Sequence, residues 1–337
     1  MTTVAVTGAS GFCGSHVAVA AAARGAGVLC VGRRPGPVGR HVPWDAAREV
    51  PDLSGADLVV HCAAAVGDPV PGSRAEETML SVNVHGTARL LRAAAGRPVV
   101  WVSSASVYAP AAGRSPITED HPVRGHLNAY GRTKAAGEAL ALAAGAVVLR
   151  PRAVYGAGDP HLVPRLLSRV RHGRIVLPGP SVPLSLTAVE NLADACLLAA
   201  GWPPGAYNIA DPAPYERDEA VRAVLDAHGV RARISHLPLR AAHAAADAAR
   251  FLARLRPDAE PSLTRYAVDQ LARSVVLDVS GARARGWTAR RTISDYTAAL
   301  AHREERARPA RERGTPAGGG SGPRAVRGPE RGRHSPM

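Results

Sequence analysis

Lysine is nearly absent from this chain. Lys and Arg together number 42 in 337 residues, and Lys134 is the single lysine among them. Arginine is the default cation here, so the one lysine marks a place where a guanidinium would not serve. Aromatic residues make up 4% of the chain, with two Phe, which leaves alanine, valine and leucine to pack the core. The four cysteines, Cys13, Cys30, Cys62 and Cys196, are far apart and form no C-x-x-C pair. That spacing excludes a zinc-ligand pattern and a disulfide framework, and three of the four lie in apolar runs. They read as reduced core thiols of a cytoplasmic protein. No run approaches the ~20 apolar residues that cross a bilayer. No signal peptide is read ahead of the first apolar run, "TVAVTG", so a soluble cytoplasmic chain is expected.

The formal charge of +14 raises the question of a nucleic-acid partner. From Arg303 onward nine Arg stand against four Glu, a net of +5 in a Pro/Gly/Arg-rich stretch without apolar periodicity. Residues 303–337 are therefore expected to be a disordered tail. No aromatic residues interleave with its arginines, as stacking on bases would need. Neither nucleic acid nor membrane is expected as a partner.

Through about residue 175, short apolar runs alternate with Ala-rich amphipathic stretches. "TVAVTG", "GVLCVG", "DLVVHCAA", "PVVWVSS" and "AVVLRP" read as buried strands, each followed by a helical segment. Such alternation predicts an α/β fold: a doubly wound parallel sheet of Rossmann type with helices on both faces. Further on, "VLPGPSVPLSL" and "PPGAYNIADPAPY" break the pattern. The expected organisation is a dinucleotide-binding domain over 1–176 and a smaller substrate-binding domain over 177–302, with one segment of the latter returning to the main sheet.

Directly after the first strand comes "TGASGFCGSH", with Gly8, Gly11 and Gly14 opening an Ala-rich helix. A tight turn, a close backbone approach to a pyrophosphate, and close helix–strand packing each need a residue without Cβ. The second strand then ends "VLCVGRR". Where an NAD site carries an acid for the ribose 2′-hydroxyl, this chain has Gly32, followed by Arg33 and Arg34. A 2′-phosphate needs no carboxylate there and is suited by a guanidinium fork, so NADP is favoured over NAD. Asp45 reads either as a partner for the adenine amino group or as a surface helix cap.

In "AYGRTKAAGE" Tyr130 and Lys134 lie four apart, on one face of a helix. Bringing a tyrosine hydroxyl from its usual ~10 to neutrality takes roughly 3 pKa units, about 4 kcal/mol. A cation ~4 Å away supplies on the order of 4 kcal/mol at an effective dielectric of 20. One ammonium is thus the right size of effect, and a lysine reaches ribose hydroxyls that a bulky guanidinium reaches less freely. Upstream, "WVSSASVY" ends a strand at the edge where α/β ligands bind. Ser104 there can hold a substrate oxygen against the tyrosine; Ser103, Ser106 and Tyr108 are alternatives for that role.

Taken together these residues resemble the extended short-chain dehydrogenase/reductase family, which includes sugar-nucleotide epimerases and hydroxysteroid dehydrogenases. The likeness runs from the Thr7–Gly14 turn, through "HCAA" at His61, "SVNVHGT" around Asn83, "SSASVY" and Tyr130/Lys134, to "LRPRAVYGAGD" and "YNIAD". It implies an enzyme with Tyr130 as acid/base, Lys134 as its electrostatic partner and ribose ligand, and Ser104 as the donor to the substrate oxygen. It implies a cofactor site made of Thr7, Gly8, Gly11, Phe12, Gly14, Arg33, Arg34, Asp45, Ala63, Asn83, Tyr130, Lys134 and Pro151, with no metal. Residues 149–156 and 262–287 look more like the 3β-hydroxysteroid dehydrogenase-type branch than the epimerases. Ala105-Ser106 stand where sugar dehydratases carry an Asp-Glu pair, so dehydration lacks its acid and base. The implied activity is interconversion of a ketone and a secondary alcohol, with NADP or NAD and a small carbonyl or alcohol substrate. Nucleotide-sugar epimerisation or 4-ketoreduction is the second reading, and a non-catalytic NADP sensor the third. Homodimers are common in that family, and no residue of this chain marks one.

Overall fold

In a computed structural model, residues 2–110, 116–254 and 263–307 can be described. The expected tail falls almost entirely outside them. Six strands carry the first half of the chain: β1 (Thr3–Thr7), β2 (Gly27–Gly32), β3 (Arg40–Pro43), β4 (Leu58–His61), β5 (Val99–Val102) and β6 (Val147–Pro151). A later strand, Gly205–Ile209, joins β6, and all neighbours in this seven-stranded sheet run parallel. From that strand the order is β6, β5, β4, β1, β2, β3. The winding reverses between β1 and β4, and ligands of such sheets bind beyond the strand carboxyl ends at that reversal. This is a Rossmann-type α/β fold.

The strands are apolar without interruption because both faces of the sheet are covered. Val4, Val6, Val60, Val100 and Leu149 face one core with Val17 and Ala18 of helix α1 (Phe12–Ala23) and with Leu192 and Cys196 of the helix Val189–Leu198. Ala5, Val59, Trp101 and Val148 face the other. There they meet Leu90 of a helix over Thr87–Ala94 and Ala141 of one over Ala129–Ala143. In chain order, α2 spans Arg74–Leu80, α3 Thr87–Ala94 and α4 Ala129–Ala143. Alanine at the contacts lets these helices lie close to the sheet.

A second unit packs against the carboxyl edge. Its strand Arg174–Pro178 pairs in parallel with Arg233–Leu237, and Ile175 and Leu177 bury against Val221 and Leu225. The boundary read at 176/177 falls inside the first of these strands. Gly205–Ile209 is the part of this region that returns to the main sheet. The helix Leu239–Arg254 packs on Arg265–Ala272 through Ala242, Ala246 and Val268. No helix among the described residues is long and apolar enough to cross a membrane.

Candidate active site

The turn after β1 is closed by its glycines. Gly8 has φ +67°, and a Cβ on it would stand 2.8 Å from the Ala63 Cα; a Cβ on Gly14 would stand 2.3 Å from the Gly8 carbonyl oxygen. Gly11 caps α1 without a side chain, and no acid stands in the first turn. The first amides of the helix are thus left for a ligand, which is how a pyrophosphate is held. Phe12 begins the helix and packs edge-on against His16. Thr7 is fully buried, and its hydroxyl accepts from the Ala63 amide at 3.2 Å and bridges to His61 Nδ1 at 2.7 Å. It fixes the β1 and β4 ends to each other. Burial brings the His61 ring down to about 3, so that ring is neutral.

Glycines also explain the sequence around the lysine. Asn128 caps α4, accepting from the Gly131 amide at 2.9 Å. A Cβ on Gly131 would stand 2.7 Å from the Ser106 carbonyl oxygen, and one on Gly137 would stand 2.4 Å from that of Asn83. Both glycines let α4 lie against the serine stretch after β5 and the π-helical turn Ser81–Gly86. Asn83, itself buried, accepts from the Ala65 amide at 2.8 Å and donates to the Ala65 carbonyl and to Thr133, 3.0 Å each. It ties the loop after β4 to α4.

Tyr130, half-buried in the first turn of α4, shares a hydrogen bond with Ser104. Ser104 accepts from the Ser106 amide at 3.2 Å and the Ser106 hydroxyl at 2.9 Å. Both bonds use its oxygen as acceptor, so its own proton goes to the Tyr130 oxygen. The expected lowering of the tyrosine is not found. Burial holds the Tyr130 phenol above its ordinary value, with Tyr266 and Cys13 adding to the rise and Ser104 offsetting part of it. The reason lies in Lys134, whose ammonium is almost fully buried and turned to the β5 end. It donates to the Val102 carbonyl at 2.6 Å and sits 3.7 Å from the centre of the Trp101 ring. Burial pulls Lys134 down to about 7, against the opposing pull of Glu138, Cys62 and Cys13.

Two of the alternative oxygen donors prove to be structural. Ser103 donates to Glu138 Oε2. Tyr108 donates to Asn208 Oδ1 at 2.6 Å and accepts from Arg150 at 2.9 Å. Both belong to a buried network around the ion pair of Arg150 with Glu138. Ser104 and Ser106 are left facing the tyrosine.

On the nucleotide side, Gly32 lies close to Gly8: a Cβ on it would be 3.8 Å from the Gly8 nitrogen. Arg33 and Arg34 are exposed, and neither has a hydrogen-bond or ion-pair partner among the described residues. Asp45 accepts from the Ala47 amide at 3.0 Å, and its other oxygen lies 3.9 Å from Arg48 Nε. Pro151 ends β6 opposite Ile209. The glycine turn, the free helix amides and the missing acid at Gly32 fit a dinucleotide.

Sequence reasoning missed what comes from the far side. Tyr266, on the helix Arg265–Ala272, shares a hydrogen bond with Ser106 and lies within electrostatic reach of Tyr130, Arg152 and Asp68. Arg152 is buried directly after Pro151. The distant cysteines Cys13 and Cys62 come within electrostatic reach of Lys134, and Cys196 shares a hydrogen bond with Cys62. Residues 262–287 carry a likeness to the 3β-hydroxysteroid dehydrogenase-type branch, but nothing in "TRYAVDQ" sets its tyrosine apart as a site residue.

The NAD dependent epimerase/dehydratase family matches residues 4–210. The chain belongs to that family of oxidoreductases and epimerases. It is 31% identical to a 4-hydroxy-2-methyl-3-oxo-4-farnesyl-3,4-dihydroquinoline-1-oxide ketoreductase of Stigmatella aurantiaca, over 82% of this chain and 89% of that protein. It is also 31% identical to a 2-alkyl-3-oxoalkanoate reductase of Stenotrophomonas maltophilia, over 80% and 88% of the two chains. Among solved structures, MoeE5 in complex with UDP-glucose and NAD superposes with a TM-score of 0.67 at 28% identity, covering 91% of this chain and 99% of that one.

Proposed function

We propose that the protein reduces a ketone to a secondary alcohol with a nicotinamide dinucleotide, NADP in preference to NAD. The observation that carries this reading is the hydrogen bond between Tyr130 and Ser104, where the serine stretch after β5 meets the first turn of α4. A bound nicotinamide supplies the hydride. Ser104 donates to the carbonyl oxygen and polarises it; Tyr130 gives that oxygen its proton as negative charge develops there. Lys134, turned to Val102, holds the β5 end against α4 and keeps a positive charge near the site below about pH 7. The names of the two reductase relatives agree with this reading.

Nucleotide-sugar epimerisation is the second reading, supported by the likeness to MoeE5 with UDP-glucose and NAD. An epimerase returns its hydride to the same substrate and shows no net nicotinamide change. The test is nicotinamide absorbance with NADPH and a panel of bulky ketones, in wild type and Tyr130→Phe. Stoichiometric NADPH consumption is expected, falling by roughly 10²–10⁴-fold in the variant while cofactor still binds. Inversion of a nucleotide sugar with no absorbance change would establish the second reading instead.

A further inference from the structure

Three arginines of the described chain are almost wholly buried: Arg150, Arg152 and Arg217. Two of them carry an acid. Arg150 is paired with Glu138, and its remaining donors reach the Tyr108 hydroxyl and the Glu119 carbonyl, 2.9 Å each. Arg217 is paired with Asp218 at 2.9 Å and donates to the carbonyls of Pro178, Gly179 and Leu271. Arg152 has no carboxylate among the described residues. Its two terminal nitrogens donate to main-chain carbonyls, Ser185 at 2.8 Å and Gln270 at 2.9 Å, and its Nε is buried with no partner.

Carbonyls fix the side chain but cannot cancel a unit charge, and an uncompensated buried charge is strongly unfavourable. The chain nonetheless holds this one firmly. The Arg152 amide donates to Thr187 Oγ1 at 3.1 Å, and Ala153 next to it adopts φ +45°, a left-handed conformation in which a non-glycine Cβ crowds the following carbonyl. Its position is also informative. Arg152 follows Pro151 at the carboxyl end of β6, and the titratable group acting on it is Tyr266, which reaches Ser106 and through it Ser104. The missing acid therefore belongs to something that enters beside the serines and Tyr130.

We propose that Arg152, with Tyr266 beside it, receives a carboxylate that the substrate carries close to its reacting carbonyl, so that the ketone reduced is a keto acid. This rests on the reductase reading given above and names its substrate class. Guanidinium and carboxylate match in geometry and charge, and an arriving anion supplies what Glu138 supplies to Arg150. A neutral substrate would leave the cation buried and uncompensated.

The test runs the reaction in the stable direction. Oxidation of 3-hydroxydecanoate and of its methyl ester by NADP⁺ is followed by nicotinamide absorbance in wild type, Arg152→Gln and Tyr266→Phe. Wild type should prefer the acid over the ester by ~10⁴ in kcat/KM, the discrimination typical of a site built around a buried polar partner. Arg152→Gln should bring that ratio toward one, and Tyr266→Phe should lower it less. Should Arg152→Gln fail to fold, Arg152→Lys keeps the charge without the fork and should lower the ratio by about tenfold. Equal turnover of acid and ester by wild type, or an unchanged ratio in the variants, makes Arg152 a structural clamp and overturns the proposal. Reduction of plain ketones with the hydroxy acid inert would also overturn it while leaving the reductase reading standing. If neither hydroxy compound nor any ketone reacts, the reductase reading fails first and this proposal with it.

Discussion

Arg150 and Arg152 flank one proline and are buried alike, 3% and 4% exposed, yet their surroundings differ. Arg150 has the acid it needs from α4, twelve residues back, and holds its proton the more tightly for it. Arg152 meets only carbonyls and a tyrosine, and burial brings it down to about 10. Burial by itself thus says nothing of a residue's role. Where the counter-charge is built in, the cation is a rivet between sheet and helix. Where it is absent, the protein has left part of the electrostatics to the ligand.

The strongest way to break that contrast is to remove the acid from the rivet. Glu138→Gln leaves Arg150 as an unpaired buried cation and leaves one acceptor oxygen where Arg150 and Ser103 use two. Loss of one partner of a buried pair costs about 3–5 kcal/mol. Arg152→Gln removes no ion pair and strands two carbonyls, so it should cost less, about 1–3 kcal/mol. Urea denaturation of both variants measures the difference. Equal losses would mean that Arg152 is as much a structural rivet as Arg150.

Neither environment is legible in the sequence, and the reason is geometric. The glycine turn, the five main strands and the Tyr130/Lys134 pair announce themselves locally, through φ-permissive residues, β-branched runs and a four-residue spacing. Arg150 and Glu138 are joined only when β6 folds against α4, and nothing in "LRPRAVYG" tells the first arginine from the second. The short strand β3 escapes notice because "RHVP" has neither length nor an apolar run. The three cysteines look isolated in sequence, and the sheet reversal brings them together. The spacing of Tyr130 and Lys134 marks a shared helix face, but it does not say where the ammonium at the end of a flexible stem will point. In the folded protein the Val102 carbonyl and the Trp101 face hold it, rather than the phenol.

Lys134 stands between the two arginines in kind: a buried cation that can discharge. In the unfolded chain it titrates at the ordinary 10.5, and in the fold at about 7. Between those values the unfolded chain keeps a proton that the folded protein has lost, so this group's contribution to stability rises with pH. The slope is at most about 1.4 kcal/mol per pH unit. Relative to Lys134→Met, wild type should therefore gain stability from about pH 7 upward and show no such trend below it. Unfolding free energies of the two proteins across that range give the slope directly. A flat difference would mean that Lys134 stays charged and is compensated like Arg150.

Arg33 completes the series as a cation in full contact with water, and the effect expected of it is the smallest. It has no partner among the described residues and stands beside Gly32, where no carboxylate would repel a phosphate. Its charge costs nothing to hold, so its whole contribution comes from what it binds. A 2′-phosphate reached by an exposed guanidinium gains a charge-assisted bond worth about 1–1.5 kcal/mol after solvent screening, roughly tenfold in affinity. NADPH should accordingly bind about tenfold more tightly than NADH, and Arg33→Ala should remove most of that preference. The preference should also shrink as salt is added, since exposed charges are screened within ~10 Å at 0.1 M. The acid preference assigned to Arg152, buried from solvent, should not. Dissociation constants for both cofactors at low and high salt, in wild type and Arg33→Ala, decide the matter. Equal binding of NADPH and NADH by wild type would remove Arg33 from the site and leave Gly32 as a turn residue only.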